Sequence, residues 1–113
     1  MRFNGQTIHA KADGWIEIQT EEGLATLQGY DPALIEYDSV DEAREEKRAE
    51  IRSGLVRDCE ALMPTYELIY CIRQRIADTR LSELDAMAKR ARDLEAYIDD
   101  NKRTVAELRA VAW

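Results

Sequence analysis

Apolar residues recur at alternating spacings of three and four along residues 84–108 of this chain. In a heptad register they fill positions a and d in turn, and an asparagine takes the one polar slot. The eight positions are Leu84, Met87, Ala91, Leu94, Ile98, Asn101, Val105 and Leu108. Such a pattern is typical of a helix that buries one edge against other helices. We call these residues the predicted helix-packing seam.

The seam has two interpretations. It could join two chains in a coiled coil, where Arg90 and Glu95 would form the one clear ion pair between parallel helices. It could instead pack against earlier helices of the same chain. We favour packing within the chain, because coiled coils usually sustain complementary charges along the whole seam. A homo-oligomer is the alternative.

Glycine and proline divide the chain, since none of either follows Pro64. Residues 7–11, 15–20 and 24–28 are short β-rich segments, and Asp13-Gly14 between the first two favours a tight hairpin turn. Ile16 and Ile18 would share one face of the second strand. The sequence therefore predicts a β-hairpin or three-stranded meander, followed by an extended linker over residues 33–39.

Helices are predicted for the remainder. Ser39 or Asp41 would cap the first, and Pro64 would end it. The second would begin at Thr65, and the helices would bury apolar stripes. These stripes are Ile51, Leu55, Cys59 and Leu62 in the first helix, and Leu68, Ile69, Ile72 and Ile76 in the second.

Two interruptions are expected further along. The apolar phase breaks near residues 79–82, where Ser82 could cap a third helix, although one continuous helix is the alternative. Thr104 and Glu107 have the spacing of a capping box after the weaker interruption at residues 99–101. We predict an α+β fold: a β-rich segment at 1–38, then two or three helices at 39–113 that form a helical hairpin or bundle with coiled-coil character. The two segments would make one structural domain.

Net charge and hydropathy limit the classes of partner that the chain is expected to bind. The net charge is −7, and residues 1–40 contribute −5 of it, from two basic and seven acidic residues. Because no basic patch is present, we expect no binding to nucleic acid. No apolar run approaches the roughly 20 residues that cross a bilayer, and no signal peptide is apparent, so we expect a cytoplasmic protein with no membrane partner.

Templates for catalysis lack essential parts. His9 is the only histidine, and Cys59 and Cys71 do not complete a zinc-binding spacing with it. The two cysteines lie almost symmetrically about residues 64–65, so they could form a redox-sensitive staple, although two buried thiols are the preferred interpretation. We therefore predict a non-enzyme with no cofactor, no metal and no catalytic residue; an enzyme that uses His9 or a cysteine is the alternative.

Aromatic residues suggest where a protein partner would bind. Exposed aromatic side chains often anchor interfaces. The predicted partner surface consists of Trp15, Tyr30, Tyr37 and Trp113. The alternative is that Trp15 belongs to the core of the sheet and that Trp113 packs over a helix end.

Residues 40–52 (VDEAREEKRAEIR) resemble a helix start found in small phage and prophage tail proteins, including tail-fibre assembly proteins. The resemblance implies a β-rich N-terminal segment, a charged helix and a helical remainder, and it carries over no functional residues. It implies a non-enzymatic structural or assembly protein that binds a tail or virion component, in the host cytoplasm or with the virion. A small acidic inhibitor or regulator of a host or phage enzyme is the alternative.

Overall fold

The computed structural model describes residues 1–12 and 14–113, and the chain divides into two compact units, Met1–Ala43 and Arg44–Trp113. We call them the sheet unit and the helical unit. An antiparallel sheet precedes the helices along the chain, so the predicted α+β order is confirmed. Each unit is described by itself below.

Five strands in the described part of the sheet unit form one antiparallel sheet in the order β4-β3-β2-β1-β5. They are β1 (Arg2–Phe3), β2 (Gln6–Ala12), β3 (Trp15–Thr20), β4 (Gly23–Gln28) and β5 (Ile35–Glu36). Ala12 pairs with Trp15, which confirms the predicted hairpin. Gly14 has the positive φ of 82° that such a turn requires. The other predicted turn residue, Asp13, lies outside the described residues.

The core of the sheet unit follows from strand alternation. Ile16 and Ile18 are buried on one face of β3, as their spacing predicts, together with Phe3 of β1 and Ile35 of the edge strand β5. Trp15, Glu17 and Gln19 alternate with them on the other face. The strands therefore obtain their stability from one apolar face.

Two short strands depart from the prediction. β1 and β2 are joined by Asn4-Gly5, whose φ angles of 50° and 78° are those of a tight hairpin turn. The expectation of an extended linker at residues 33–39 is wrong. A single 3-10 turn, Pro32–Leu34, is capped by Asp31, and Ile35 then enters β5, where its side chain is buried.

The helices are α1 (Val40–Leu62), α2 (Thr65–Gln74), α3 (Arg80–Asp99) and α4 (Val105–Arg109). Ser39 caps α1, since its hydroxyl accepts from the Glu42 N–H at 3.1 Å. The break before α3 is confirmed, but Ser82 does not cap it. Ser82 lies inside α3, and the Asp78 carboxylate accepts from the first N–H of that helix, on Arg80, at 2.8 Å. The capping box that begins α4 is confirmed.

Helices α1 and α3 pack antiparallel in the helical unit. Arg44 Nε donates to the Ile98 carbonyl at 3.0 Å, and Arg52 Nε donates to the Glu95 carboxylate at 2.9 Å. Further along the pair, the Cys59 sulfur lies 3.8 Å from the Met87 sulfur. Exposed ion pairs contribute little free energy, so these contacts chiefly fix the register of the two helices.

The segment after α4 also lies on α1. Lys47 is buried, and its ammonium donates to the Val111 carbonyl at 3.0 Å and to the Glu50 carboxylate at 3.0 Å. Gly54 faces the ring of Trp113 so closely that a Cβ there would lie 2.4 Å from the ring atoms Cγ and Cδ1. Gly54 is therefore required by packing, although glycine lowers helix stability.

Replacing Gly54 by alanine tests this contact through the sign of its effect. Helix propensity alone would stabilise the protein by about 1 kcal/mol, whereas the steric clash with Trp113 costs roughly 1–3 kcal/mol. We expect Gly54→Ala to lower the free energy of unfolding, measured by urea denaturation.

The matched control is Ser53→Ala at an exposed neighbouring position, which should change stability by less than about 0.5 kcal/mol. In a Trp113→Ala background, Gly54→Ala should become stabilising. A stabilising effect in the unaltered protein would show that the indole does not occupy this position.

Candidate functional site

Helix α2 carries large apolar side chains on its exposed side. Tyr66, Ile69, Tyr70 and Ile72 expose 72%, 51%, 59% and 63% of their surface, and Arg73 is exposed among them. At about 100° per residue, these five side chains fall within one arc of roughly 160°. We call this set the α2 face.

The opposite side of α2 faces the helical unit. Cys71 is buried there, and Glu67 and Leu68 are half-buried. The helix is therefore apolar on both sides, although the chain covers one of them. Ten residues form a marginal helix in isolation, so the buried side holds α2 in place while the α2 face stays open.

The start of α2 is fixed by Pro64, which cannot continue α1 and has an extended ψ of 145°. The Glu60 carboxylate on α1 accepts from the Thr65 backbone N–H at 3.3 Å and from the Thr65 hydroxyl. This carboxylate satisfies a free N–H of the first turn and places a negative charge at the positive end of the helix dipole.

The end of α2 is fixed by Arg75, whose φ of 54° and ψ of 39° are left-handed. The next N–H, on Ile76, donates back to the Cys71 carbonyl at 3.0 Å, as in a Schellman motif. Arg80, the first residue of α3, links that helix to α2. Its guanidinium lies 3.0 Å from Glu67 of α2 and 2.9 Å from Asp78. The Arg80 contacts lower the pKa of Asp78 below its usual range.

The composition of the α2 face resembles that of energetic hot spots in protein interfaces, where tyrosine and arginine are enriched. Tyr66, Ile69, Tyr70 and Arg73 follow the spacing i, i+3, i+4, i+7 of a helix that inserts one face into a partner. Their open area is on the order of 500 Å², near the upper end for a patch on a monomer. Leu24 and Leu34 are also exposed, but they lie in the sheet unit, apart from α2.

The sequence prediction for α2 is wrong in one respect. The stripe of Leu68, Ile69, Ile72 and Ile76 was expected to be buried by neighbouring helices. Leu68 is half-buried, but the three isoleucines are exposed. Periodicity located an apolar stripe but not the side of the helix that the chain covers, because α2 is apolar on both sides.

The predicted helix-packing seam is divided between two helices. Its first five residues lie in α3, where Ala91 and Ile98 are buried and Leu84, Met87 and Leu94 are half-buried. Asn101 is exposed in the turn after α3. Val105 and Leu108 lie in α4, half-buried and buried, respectively.

Residues that a parallel coiled coil would need for its ion pair have other contacts. Glu95 accepts from Arg52 on α1. The Arg90 guanidinium lies 4.9 Å from the centroid of the Trp113 ring. Both side chains therefore have contacts inside the helical unit.

Three aromatic residues of the predicted partner surface lie in the sheet unit, where all three are half-buried. Tyr30 packs edge-on against Phe3 with ring centroids 5.8 Å apart, and Tyr37 contacts the same core. Trp15 lies in β3 on the face opposite Ile16. Sequence reasoning missed Tyr66 and Tyr70, although their spacing on α2 was a usable signal.

The fourth aromatic residue, Trp113, is half-buried in the helical unit. Its indole N–H donates to the Asp58 carboxylate at 2.6 Å. This hydrogen bond, followed by one from Arg57, holds the pKa of Asp58 below its ordinary value. Trp113 therefore packs on a helix, as in the alternative interpretation, but against Gly54 and Asp58 inside α1 rather than over a helix end.

Residues weighed for chemistry lie apart along the fold. His9 is exposed at a bulge in β2 of the sheet unit. Cys59 and Cys71 are free thiols in the helical unit. Burial, together with Asp58 and Glu60, raises the pKa of the Cys59 thiol and so lowers the fraction of reactive thiolate at neutral pH.

An open groove of about 320 Å³ crosses the end of the helical unit. Its lining residues are Leu94, Tyr97, Glu107, Ala110, Val111 and Ala112. The Glu107 carboxylate already accepts from Arg103 at 3.0 Å and from the Thr104 N–H at 3.3 Å. These bonds, Arg103 first, lower the pKa of Glu107 and stabilise the start of α4.

Among residues 1–12 and 14–113, no group of three or more histidine, cysteine or acidic side chains is arranged to hold a metal ion. In the same ranges, no helix combines the length and the apolar character needed to cross a membrane. Comparison with protein-family models, curated proteins and solved structures finds no match to this chain.

The hydrogen bond between Trp113 and Asp58 predicts a pH dependence with a definite sign. Since the folded-state pKa of Asp58 is lowered, its contribution to stability is present above the ordinary carboxyl pKa and is lost as pH falls through the lowered value. In a Trp15→Phe variant, the fluorescence of Trp113 should titrate with a midpoint below 3.8, the ordinary value for this carboxyl.

The matched control is Asp58→Asn in the same Trp15→Phe background. It retains a side-chain acceptor for the indole but cannot titrate, so the acid transition should disappear from the fluorescence. A transition of unchanged midpoint and amplitude in the control would assign the titration to another group.

Proposed function

We propose that this chain is a non-enzymatic assembly protein that binds another protein through the α2 face. One observation carries the proposal. Four large apolar side chains lie within one arc of a helix whose two ends are fixed, and more than half of the surface of each is open. Burying such a patch against a partner is favourable, and a pre-formed helix loses little conformational entropy on binding.

The biological setting in the proposal is the assembly of a phage or prophage tail, with a tail or virion component as the partner. The support for this setting is the resemblance of residues 40–52 to the helix start of small tail proteins. Those residues lie within α1, which provides packing surface for α3 and Trp113. The resemblance and the α2 face are thus independent lines of support.

For residues 84–108, where coiled-coil character was expected, we propose packing within one chain. Met87 contacts Cys59 of α1, and Ala91, Ile98 and Leu108 are already buried in a single chain. We therefore assign the packing seam to the interior of the helical unit. Helix-to-helix contact between chains is assigned to α2.

A second candidate function is a small acidic inhibitor or regulator of an enzyme with a basic cleft. The observation that favours it is the exposed pair Glu21 and Glu22 in the β3–β4 turn. Glu36 and Asp38, at the opposite edge of the sheet, favour it less, since Arg2 lies 3.3 Å from Asp38 and 3.7 Å from Glu36. Binding through such a surface would weaken steeply with salt, whereas apolar binding through α2 would not.

Replacing Ile69 by aspartate tests the proposed function. Half of the side chain is exposed, so the fold should be retained, with a loss of stability of about 1 kcal/mol from the buried half. A charge at the centre of an apolar interface should weaken partner binding at least about tenfold. The measurement is affinity capture from a lysate that contains the tail components, followed by mass spectrometry and a titration with the captured protein.

The matched control is Leu24→Asp, which places the same charge at an apolar residue of similar exposure, 57%, in the sheet unit. It should bind as the unaltered chain does. Equal binding by Ile69→Asp and the unaltered chain would contradict the proposal, and lost binding in Leu24→Asp alone would transfer the site to the sheet unit.

A further inference from the structure

We propose that the occupant of the α2 face is a second copy of this chain, with the two α2 helices packed antiparallel about a two-fold axis. This inference rests on the proposed function, because it names the partner of the same site: the tail or virion component that the α2 face binds is then this chain itself. A two-fold interface uses the same patch on both copies, so the patch must be complementary to itself. The α2 face meets this condition in its apolar pattern, its charges and its area.

The apolar pattern is complementary when the axis passes between Ile69 and Tyr70. Ile69 of each copy then lies opposite Tyr70 of the other copy, at the centre of the contact. Tyr66 lies opposite Arg73 of the second copy at both ends. A guanidinium over a tyrosine ring is attracted to the ring face when the two lie within about 6 Å.

The charges at the two ends of α2 are opposite in sign. The Glu60 carboxylate lies at the first turn, where it accepts from the Thr65 N–H, and Arg73 and Arg75 lie at the last turn. All three residues are exposed. Antiparallel pairing brings each acidic end against a basic end, whereas parallel pairing would bring Arg73 against Arg73. The charge distribution therefore selects the antiparallel arrangement.

The area is sufficient for a specific but modest interface. The α2 face offers on the order of 500 Å² per copy, so two copies bury about 1,000 Å² in total, which is near the lower limit for a biological contact. Neighbouring side chains such as Ile76, which is 42% exposed, would extend it. We expect a dimer with a dissociation constant in the micromolar range.

Sedimentation equilibrium of the full chain, from about 1 to about 500 μM, tests the inference across that range. The unaltered protein should shift from the 13.0 kDa mass of one chain to twice that mass as concentration rises. Ile69→Asp should raise the dissociation constant at least about 100-fold, because each dimer contains the substitution twice. Circular dichroism establishes that each variant retains its helices.

Charge is tested separately with Arg73→Glu, which should raise the dissociation constant about tenfold or more. Its matched control is Arg92→Glu, which makes the same change in net charge at an exposed position on α3 and should leave the dimer unchanged. Equal weakening by both variants would show that net charge, rather than the contact with Tyr66, governs association, and would overturn the antiparallel arrangement.

Two outcomes overturn the inference altogether. One is an unaltered chain that stays monomeric at every concentration; if Ile69→Asp still abolished binding to a different protein, the proposed function would stand without the dimer. The other is a dimer that Ile69→Asp leaves intact, which would place self-association elsewhere on the chain. Failure of Ile69→Asp to affect any protein contact would remove the proposed function as well.

Discussion

The positions at which α2 begins and ends determine which of its apolar side chains stay exposed. Pro64 ends α1 and begins α2, and the left-handed Arg75 ends α2 after ten residues. Apolar residues occupy both sides of this short helix, but the chain covers the side with Cys71 and Leu68 and leaves Tyr66, Ile69, Tyr70 and Ile72 open. Exposed apolar surface is unfavourable in water, and this patch is the reason for the proposal that a partner covers it.

Helix α1 is the helix on which α3 and Trp113 pack. It pairs with α3 through Arg44 and Arg52, and it accommodates Trp113 at Gly54 and Asp58. These contacts use the polar as well as the apolar positions of α1, which explains how a helix so rich in charge belongs to a packed unit. They also give Glu95, one of the two ion-pairing residues of the predicted coiled coil, a partner within the same chain.

Local chemistry made much of the fold predictable. Ser39, Pro64 and the Thr104–Glu107 capping box each satisfy or remove a backbone hydrogen bond within a few residues, so their effects could be inferred from sequence. Asn4-Gly5 carries an equally local hairpin signal, since both residues adopt the positive φ of a tight turn. β5 is different in kind, because Ile35 forms a strand through pairing with β1, more than thirty positions away.

The candidate site was predictable only in part for a similar reason. Periodicity shows that a helix has an apolar stripe, but which side the chain covers depends on tertiary packing. The isoleucines of α2 were therefore expected inside and are found outside, whereas Trp113 was expected at a partner surface and packs on α1.

Hydroxyl-radical footprinting with mass spectrometry measures side-chain exposure in solution, and so it tests whether the α2 face is open in the isolated chain. In the dilute isolated chain, Tyr66 and Tyr70 should be labelled rapidly and half-buried Tyr97 more slowly, and in the assembled state Tyr66 and Tyr70 should become protected. If Tyr66 and Tyr70 were already as protected as Tyr97 in the dilute chain, this chain would cover its own α2 face. That result would contradict an α2 face that is open to a partner.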